Sequence, residues 1–314
     1  MRFAIVGAGA TGGYLGACLS RAGTDVVLVA RGAHLAAMRE RGLTVREADG
    51  GSFTVRPECT DELAAAVGSA EVVFVTLKAH SLPAVAPALG AALRPGSTAV
   101  FAQNGIPWWY TEGLESVDPG RVIAASIPMG AVLGCVVYPA TALVEPGVVQ
   151  HVEGNRFSLG EPDGARSERA AAIAKTLARA GLKAPVQTRI RQEIWLKLLG
   201  NATFNPVSAL TRATLGQMGA APETRALVRA LMEEVYSVAV AGGVEVEIGI
   251  ERRMEAGFEV GNHKTSMLQD LEAGRPLEVE ALVGAVCELG DRHGLELPHL
   301  RSVYALTKLL GTSR

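Results

Sequence analysis

The first sixteen residues, MRFAIVGAGATGGYLG, constrain the fold of this chain more than any other stretch. Gly7, Gly9 and Gly12 form the pattern G-x-G-x-x-G, after the apolar run 3–6 and before a helical pattern over 11–22. Glycine loses more backbone freedom on folding than any other residue, so a cluster of glycines needs a reason. In a strand–loop–helix unit the reason is a tight turn, the close approach of a pyrophosphate, and close packing of helix on strand. The alternative is a glycine-rich turn without a ligand.

Strand-like and helix-like segments alternate through the first 130 residues. This alternation predicts a parallel sheet with helices on both faces. A D-G-G turn between residues 43 and 57 predicts an inserted hairpin, and two further strand-like pieces follow at 148–152 and 156–160. The predicted strands of the parallel sheet are 3–6, 25–30, 71–77, 97–102 and 121–126, and the predicted helices are 11–22, 34–41, 61–67 and 81–92.

Beyond about residue 187 the pattern changes to long segments with helical periodicity and no run of strands. We place the boundary near 184–189 and predict a dinucleotide-binding domain over 1–186 and a helical substrate and catalytic domain over 187–314. The predicted fold class is α/β, with an N-terminal Rossmann-type doubly wound sheet and an all-helical C-terminal domain. A chain of 314 residues is long enough for both.

Composition excludes several classes of partner and site. The formal net charge of −2 provides no electrostatic basis for binding nucleic acid. No apolar stretch reaches the length of a membrane helix, and glycines interrupt the N-terminal apolar run where a signal peptide would continue. The four cysteines and six histidines are scattered, without metal-ligand spacing. We therefore expect a cytoplasmic protein with reduced thiols, no metal, no membrane and no nucleic acid.

The second predicted strand ends in Arg31, at the position where a carboxylate would bind the ribose 2′-hydroxyl of NAD. An arginine suits the 2′-phosphate of NADP instead, because its planar guanidinium can bond two phosphate oxygens at once. The alternative is a solvated arginine at the start of a loop. We favour NADP(H) as the cofactor.

A second candidate feature is the helical segment 192–211, QEIWLKLLGNATFNPVSALT. Lys197, Asn201 and Asn205 are spaced by four residues and share one helix face. The positions between them are mostly apolar, and amides or a lysine are costly to bury without partners. A solvated stripe is usually rich in Glu, Lys and Arg, whereas this one has a lysine and two asparagines. We favour an active-site face over a solvated stripe.

Two further polar residues, Lys78 in VTLKAH and Asn104 in FAQNGI, each follow a predicted strand. The carboxyl ends of strands line the ligand crevice of an open α/β sheet, so both are expected to face the cofactor. The alternative for each is a loop cap. A third cluster over 263–280 offers Ser266 and Glu278, and its alternative is an amphipathic helix followed by a Gly-Arg-Pro break.

Taken together, these segments resemble the ketopantoate reductase (2-dehydropantoate 2-reductase) family. The glycine loop is shared with many dehydrogenases, whereas the lysine-helix motif and the C-terminal motif are specific. The resemblance spans the chain and rests on GAGATGG, Arg31, VTLKAH, QNGI, EPGVVQH, W-x-K-x-x-x-N-x-x-x-N-P at 195–206, and SMLQDLEAGRPLEVEALVGAV. It implies an active site in the cleft between a Rossmann domain and a helical domain. It also implies NADPH-dependent reduction of a 2-keto acid to a 2-hydroxy acid, with 2-dehydropantoate to pantoate, in pantothenate biosynthesis, as the favoured reaction.

The resemblance also implies roles for individual residues. Lys197 is the general acid and a substrate contact, and Glu278 contacts the cofactor ribose or supports the lysine. Substrate binding is implied for Asn201, Asn205 and Ser266. Cofactor binding is implied for Gly7, Ala8, Gly9, Ala10, Thr11, Gly12, Arg31, Lys78, Asn104 and Ala131.

Two departures from the family pattern lie on the substrate side. His263 stands where the family often has asparagine, three residues before Ser266, and another family asparagine is replaced near Thr214. His263 is one helical turn before Ser266 if this segment is helical, so both would face one pocket. A histidine carries positive charge when protonated, so we predict that His263 helps to bind the substrate carboxylate. The alternative is a surface histidine at a helix start.

The expected reaction transfers hydride from the nicotinamide to the keto carbon while Lys197 protonates the developing alkoxide. A lysine with the ordinary pKa of about 10.4 is already protonated at neutral pH. One alternative is an NADPH-dependent reductase of another keto acid or ketone. The other is a non-catalytic NADP(H)-sensing protein, which would need only the N-terminal domain and not Lys197, Asn201 and Glu278. The sequence leaves the oligomeric state open, with a homodimer as one assembly.

Overall fold

The computed structural model describes residues 1–313, which divide into two compact units. The first unit contains residues 1–103 and 121–190, and the second contains 104–120 and the chain from Arg191 onward. The predicted limits of 1–186 and 187–314 do not separate 104–120, which the contacts group with the second unit. Within residues 1–313, no helix is both long and apolar enough to cross a membrane.

A seven-stranded sheet lies at the centre of the first unit. Its strands are β1 (Phe3–Val6), β2 (Val26–Val29), β5 (Glu58–Thr60), β6 (Val72–Val75), β7 (Thr98–Phe101), β8 (Val132–Val137) and β11 (Phe157–Gly160). Their order is β11-β8-β7-β6-β1-β2-β5, and all are parallel except β11, which pairs antiparallel with β8 at one edge. Every residue of β1, β2, β6 and β7 is buried, as expected for parallel strands covered on both faces.

Six α-helices belong to the first unit, and α1 packs most closely against the sheet. A side chain on Gly16 of that helix would overlap Leu28 of β2, so glycine permits the close approach. The helices are α1 (Ala10–Arg21), α2 (Gly32–Arg41), α3 (Leu63–Ser69), α4 (Leu82–Ala92), α5 (Val122–Ser126) and α6 (Glu168–Arg179).

A second, four-stranded sheet packs on the other side of α1. It consists of β3 (Leu43–Arg46), β4 (Ser52–Val55), β9 (Ala140–Glu145) and β10 (Val148–Glu153), in the order β4-β3-β10-β9. The antiparallel pair of β3 and β4 confirms the predicted hairpin. Tyr14 of α1 stacks on His151 of β10, with ring centroids 4.4 Å apart. The small sheet therefore holds the helix that follows the glycine loop.

The prediction of a strand over 121–126 is wrong. Gly120 and Arg121 both have positive φ, of 65° and 57°, and they turn the chain directly into α5. The sixth parallel strand is β8, which follows that helix. A short apolar run such as RVIAAS does not distinguish a strand from a buried helix, because its periodicity is too brief to decide.

The second unit is helical, as the sequence predicts. The helix that carries the lysine, α7, begins at Ile190 and ends at Thr211, which matches the predicted segment. A π-helical turn, Glu280–Gly284, precedes α12. The helices are α7 (Ile190–Thr211), α8 (Leu215–Ala220), α9 (Pro222–Ala241), α10 (Ile250–Phe258), α11 (Ser266–Glu272), α12 (Ala285–Arg292) and α13 (Pro298–Thr312).

Candidate active site

The glycine loop between β1 and α1 has the conformation that the motif predicts. Gly7 has a φ of +99°, and a Cβ there would lie 2.9 Å from the backbone nitrogen of Leu77. A Cβ on Gly12 would lie 2.5 Å from the Gly7 carbonyl oxygen, so only glycine lets the helix approach the strand. A Cβ on Gly9 would meet only the Gly7 oxygen, at 4.0 Å. Gly9 therefore leaves the space above the loop clear for a ligand.

The start of α1 presents backbone donors to this space. The helix begins at Ala10, and its first bond of the helical type joins the Gly13 N–H to the Gly9 carbonyl at 2.8 Å. The N–H groups of Ala10, Thr11 and Gly12 belong to the first turn, where no carbonyl lies one turn earlier to receive them. These donors and the helix dipole favour an anion at this place. The loop thus fits a pyrophosphate.

A cavity of about 450 Å³ opens beside the loop, within the first unit. This volume lies in the usual range for small-molecule and cofactor pockets. Arg31 and Lys78 bring positive charge to its wall, and apolar side chains such as Leu63, Leu77 and Val85 line the rest. A cavity lined this way suits a nucleotide, because the apolar side chains can contact the nucleotide base and the positive charges can bind its phosphates.

Two of the predicted cofactor residues outside the loop line this cavity, and one lies elsewhere. Arg31 follows β2 and Lys78 follows β6, so both lie beyond the carboxyl ends of their strands. Ala131 ends a short turn directly before β8, which runs parallel to β7. It therefore lies at the amino-terminal ends of the parallel strands, whereas the glycine loop lies at their carboxyl ends, where ligands of open α/β sheets bind. The structure does not bring Ala131 together with the other residues.

In the second unit, Lys197 donates a hydrogen bond from Nζ to Oδ1 of Asn104 at 2.7 Å. Asn104 is held in place by its neighbours in the chain. Gly105 has a φ of +85°, and a side chain there would overlap the Ala281 carbonyl. The Ile106 N–H donates to that same carbonyl at 2.9 Å. The π-helical turn that contains Ala281 therefore fixes the strand-end loop that orients the lysine.

The two asparagines on the lysine face have different surroundings. Asn205 is buried, with 5% of its surface exposed, and its Nδ2 donates to Oγ of Ser266 at 3.4 Å. Asn201 is half exposed, and its amide makes no hydrogen bond to the rest of residues 1–313. The lysine helix and the first residue of α11 therefore contribute polar groups to one region of the second unit.

His263 does not share a helix with Ser266. The helix α11 begins at Ser266, and Thr265 caps it by accepting a bond from the Leu268 N–H at 3.3 Å. The condition under which His263 and Ser266 would lie one helical turn apart is therefore not met. The His263 carbonyl instead accepts from the Leu215 N–H at 3.1 Å, next to Thr214, which caps α8. The bond therefore joins His263 to the residue that follows Thr214, the other position at which the resemblance implies a departure.

Glu278 lies half buried, two residues before the π-helical turn Glu280–Gly284. Its carbonyl oxygen accepts from the Leu282 N–H at 3.3 Å, at the entry to that turn. The same turn receives the Ile106 N–H, so Glu278 and Asn104 are both placed by it.

Sequence reasoning missed the residues that anchor the segment 104–120. Glu288 of α12 accepts from the Glu115 N–H at 3.0 Å and from the Ser116 N–H at 2.9 Å. Burial alone would raise the pKa of Glu288, but the bonds from Ser116 and Glu115 together hold it below the usual value. Arg292, one turn later, donates to the Glu112 carbonyl at 2.9 Å. No local pattern reveals such contacts, because the partners are more than 170 residues apart.

Two family models match this chain. The model described as ketopantoate reductase PanE/ApbA matches residues 3–164, and the model described as its C-terminal part matches residues 189–311. The 2-dehydropantoate 2-reductase of Mesorhizobium japonicum is 46% identical to this chain, over 100% of this chain and 99% of the relative. The 2-dehydropantoate 2-reductase of Halobacterium salinarum is 31% identical, over 98% of each chain.

Solved structures agree with these matches. A crystal structure from Ralstonia solanacearum, described as a candidate ketopantoate reductase, has a TM-score of 0.94 and 41% identity, and the match covers 100% of this chain and 98% of that chain. The 2-dehydropantoate 2-reductase of Geobacter metallireducens has a TM-score of 0.88 and 29% identity, over 98% and 99% of the two chains. The glycine loop, the lysine helix and both matched regions lead to one conclusion: the chain belongs to the ketopantoate reductase family.

Proposed function

We propose that this protein reduces 2-dehydropantoate to pantoate with NADPH as the reductant. Full-length similarity to relatives named 2-dehydropantoate 2-reductase supports the reaction. The observation that carries the proposal is the bond from Lys197 to Asn104, at 2.7 Å, on the helix face that also bears Asn201 and Asn205. An oriented ammonium beside directional amides is suited to a ketone oxygen and its neighbouring groups.

The first unit holds the cofactor in this proposal. The first-turn N–H groups of α1 bind the pyrophosphate, and Arg31 and Lys78 lie on the wall of the same cavity. Arg31 binds the 2′-phosphate, because its guanidinium can bond two phosphate oxygens at once. NADPH, when bound, supplies the hydride that reduces the keto carbon.

Lys197 acts on the ketone oxygen. As negative charge develops there, Nζ stabilises it and donates a proton, the part of the reaction that a general acid performs. Asn104 orients the ammonium by accepting one of its hydrogens. Asn201, Asn205 and Ser266 hold the substrate, where a small displacement is expensive in rate. Glu278 supports the lysine or contacts the cofactor ribose.

The test is the rate of NADPH oxidation by the purified protein, followed by absorbance. The substrates are 2-dehydropantoate, a panel of other 2-keto acids, and an uncharged ketone with the shape of 2-dehydropantoate. We expect the highest kcat/KM with 2-dehydropantoate. Equal efficiency on the uncharged ketone would overturn the keto-acid assignment, and NADPH binding without turnover on any substrate would indicate a sensing protein.

A second candidate is the reduction of a different 2-keto acid. The observation that favours it is that the His263 carbonyl accepts from the N–H of Leu215, the residue after Thr214, so the two places where the chain departs from the family pattern lie close together. In that case another keto acid has the highest kcat/KM, and His263→Asn shifts the ratio of the two efficiencies toward 2-dehydropantoate. A ratio unchanged by His263→Asn would remove His263 from substrate binding.

A further inference from the structure

His34 connects the glycine loop to a distant turn of the first unit. It belongs to α2, three residues after Arg31, and it lines the cavity beside the loop. Its Nε2 lies 2.8 Å from the carbonyl oxygen of Ala8, within G-x-G-x-x-G. Its Nδ1 lies 2.9 Å from the backbone nitrogen of Gly147, in the turn between β9 and β10. Both ring nitrogens are therefore used, one on each side.

These two partners determine the protonation state of the ring. The Ala8 carbonyl can only accept, so Nε2 carries the hydrogen, and the Gly147 N–H can only donate, so Nδ1 is the bare nitrogen. The bonds thus require the neutral imidazole with its hydrogen on Nε2. Burial lowers the pKa of His34, and the bond to Ala8 opposes that shift only in part. The neutral form is the one present at neutral pH.

The bond to Ala8 restricts the peptide plane between Ala8 and Gly9. On its other side the same peptide donates the Gly9 N–H to the Gly7 carbonyl at 2.7 Å. The preceding carbonyl, that of Gly7, accepts from Oγ1 of Thr76 at 2.8 Å. Both loop carbonyls are therefore held by side chains. The orientation of the N–H groups that follow is fixed before any ligand arrives.

We propose that His34 is a positioning residue for cofactor binding, which holds the Ala8–Gly9 peptide in the orientation that a dinucleotide pyrophosphate requires. This role rests on the proposed binding of a pyridine nucleotide at the loop. A ligand that must order a loop pays a conformational cost, and a loop held in advance avoids it. His34 does not touch the 2′-phosphate in this scheme, so it serves NADPH and NADH alike.

The proposal also gives a role to the motif EPGVVQH, which the reaction itself does not use. Gly147 of that motif has a φ of +83°, and a Cβ there would lie 3.1 Å from the side chain of Ala37 on α2. The turn can approach α2 closely because it has glycine at this position. Its N–H then fixes the rotation of the His34 ring by occupying Nδ1. The small sheet therefore acts on the cofactor loop through one histidine.

Two conservative substitutions separate the two bonds of His34. The side-chain amide nitrogen of glutamine occupies the position of Nε2, so His34→Gln retains the donor to Ala8. The side-chain oxygen of asparagine occupies the position of Nδ1, so His34→Asn retains only the acceptor for Gly147. His34→Ala removes both bonds. The control is His299→Asn, because His299 lies at the start of α13 in the second unit and its ring pairs with Glu234 of α9, with 2.7 Å between Nδ1 and Oε1.

The measurements are the Kd for NADPH and for NADH, by calorimetry on the purified protein without substrate, and the melting temperature of each variant. We expect His34→Ala and His34→Asn to raise both Kd values about three- to tenfold, the usual effect of one lost hydrogen bond. His34→Gln and His299→Asn should stay within about twofold of the wild type. With saturating NADPH, kcat of all four variants should be unchanged.

Three results would overturn the role of His34. The first is an equal rise in Kd with Gln and with Asn at position 34. The second is an unchanged Kd in all the position 34 variants. The third is a rise in Kd for NADPH alone. The preference of the wild type between the two nucleotides tests the proposed cofactor separately. A preference for NADH would contradict the proposed function. The test of His34 would still hold in that case, because NADH carries the same pyrophosphate as NADPH.

Discussion

Arg31 is the residue on which the proposed preference for NADPH depends. It is exposed, it is the residue directly before α2, and it lines the cavity beside the glycine loop. Arg31→Ala should raise the KM for NADPH about ten- to a hundredfold, because a hydrogen bond to a charged group contributes about 1.5–3 kcal/mol. The KM for NADH, which has no 2′-phosphate, should change little. Steady-state kinetics with both nucleotides measures the difference.

The control is Arg39→Ala, on the same helix. Arg39 is also exposed, and it pairs with Asp61 at 3.2 Å without lining the cavity. Its removal should leave both KM values near those of the wild type. Equal losses of NADPH and NADH affinity in Arg31→Ala would show that this arginine does not read the 2′-phosphate.

Lys197 is the residue on which the proposed chemistry depends. Lys197→Ala should lower kcat by about 10²–10⁴-fold, the usual contribution of a general acid. The Kd for NADPH should stay near that of the wild type, because the glycine loop and its cavity belong to the first unit. Stopped-flow turnover and direct NADPH titration check the two quantities separately.

A surface lysine of the same unit provides the control. Lys264 is exposed and pairs with Glu272 at 2.8 Å, so Lys264→Ala should keep normal turnover. If Lys197→Ala also turned over at a near-normal rate, the face with Lys197, Asn201 and Asn205 would be a solvated stripe and the proposed mechanism would fail.

At the scale of elements, the sequence predicted those parts of the fold whose pattern is local. The strands β1, β2, β6 and β7 are buried at every residue, so their apolar runs are uninterrupted and stand out. The helix α7 combines a long periodic pattern with polar residues at one spacing. The strands β8 and β9 were missed, since Gly134 interrupts the first and the second is half exposed. Glycine and weak alternation both lower the strand signal.

Contacts between distant parts of the chain could not be predicted at all. The bond between Lys197 and Asn104 joins residues 93 positions apart, and that between His34 and Gly147 joins residues 113 positions apart. The resemblance implied that Lys197 and Asn104 both serve the reaction, and it said nothing of their direct bond. A π-helical turn such as Glu280–Gly284 has no sequence signature either, because it depends on an inserted residue whose packing only the folded structure reveals.

Glu161 connects three elements of the first unit. It follows β11, is only 5% exposed, and accepts from Ser167, the N-cap of α6, at 2.5 Å. Arg169 donates to Glu161 at 2.7 Å and to the Val132 carbonyl, at the start of β8, at 2.9 Å. Burial alone would raise the pKa of Glu161, but the bonds from Arg169 and Ser167 together hold it below its ordinary value of 4.5.

A carboxyl with a lowered pKa in the folded state stabilises the protein at pH values above the unfolded pKa and ceases to do so as the pH falls through the folded value. Glu161→Gln should therefore lower the free energy of unfolding at pH 7 by about 1–3 kcal/mol. As the pH falls from the unfolded pKa through the lowered folded pKa, the difference between variant and wild type should shrink, and it should stop changing only below the folded pKa, where the carboxyl is protonated in both states. Urea unfolding at pH 7 and at successively lower pH measures the difference in the free energy of unfolding between variant and wild type.

Glu168→Gln is the matched control for this prediction. Glu168 is exposed in the first turn of α6, where a negative charge contributes only about 0.3–1 kcal/mol through the helix dipole. A difference at position 161 that is equally small, or that does not change with pH, would mean that the Arg169 network contributes nothing beyond packing.

At the scale of the whole molecule, the chain passes from the first unit to the second and back before the lysine helix begins. The segment 104–120 carries Asn104, and its aromatic residues interact with helices of the second unit. Tyr110 accepts a hydrogen bond at its hydroxyl from Nε1 of Trp195 at 2.7 Å, and its ring meets that indole edge-on. Its carbonyl accepts from Arg191 at 2.5 Å. The segment therefore completes the second unit, although its sequence lies among the strands of the first.

This crossing predicts how fragments of the chain behave. A fragment of residues 1–190 contains the segment 104–120, with its buried aromatic residues, but lacks Trp195, Ala281 and Glu288, with which this segment bonds. It should self-associate and bind the dye ANS, because contiguous exposed apolar side chains promote both. A second fragment, in which a Gly-Ser linker replaces 104–120, should remain monomeric and bind little dye. Size-exclusion chromatography and dye fluorescence distinguish them. If the fragment with the natural segment were equally monomeric and dye-free, 104–120 would fold independently of the helices that follow it, and the placement of Asn104 by the second unit would need another cause.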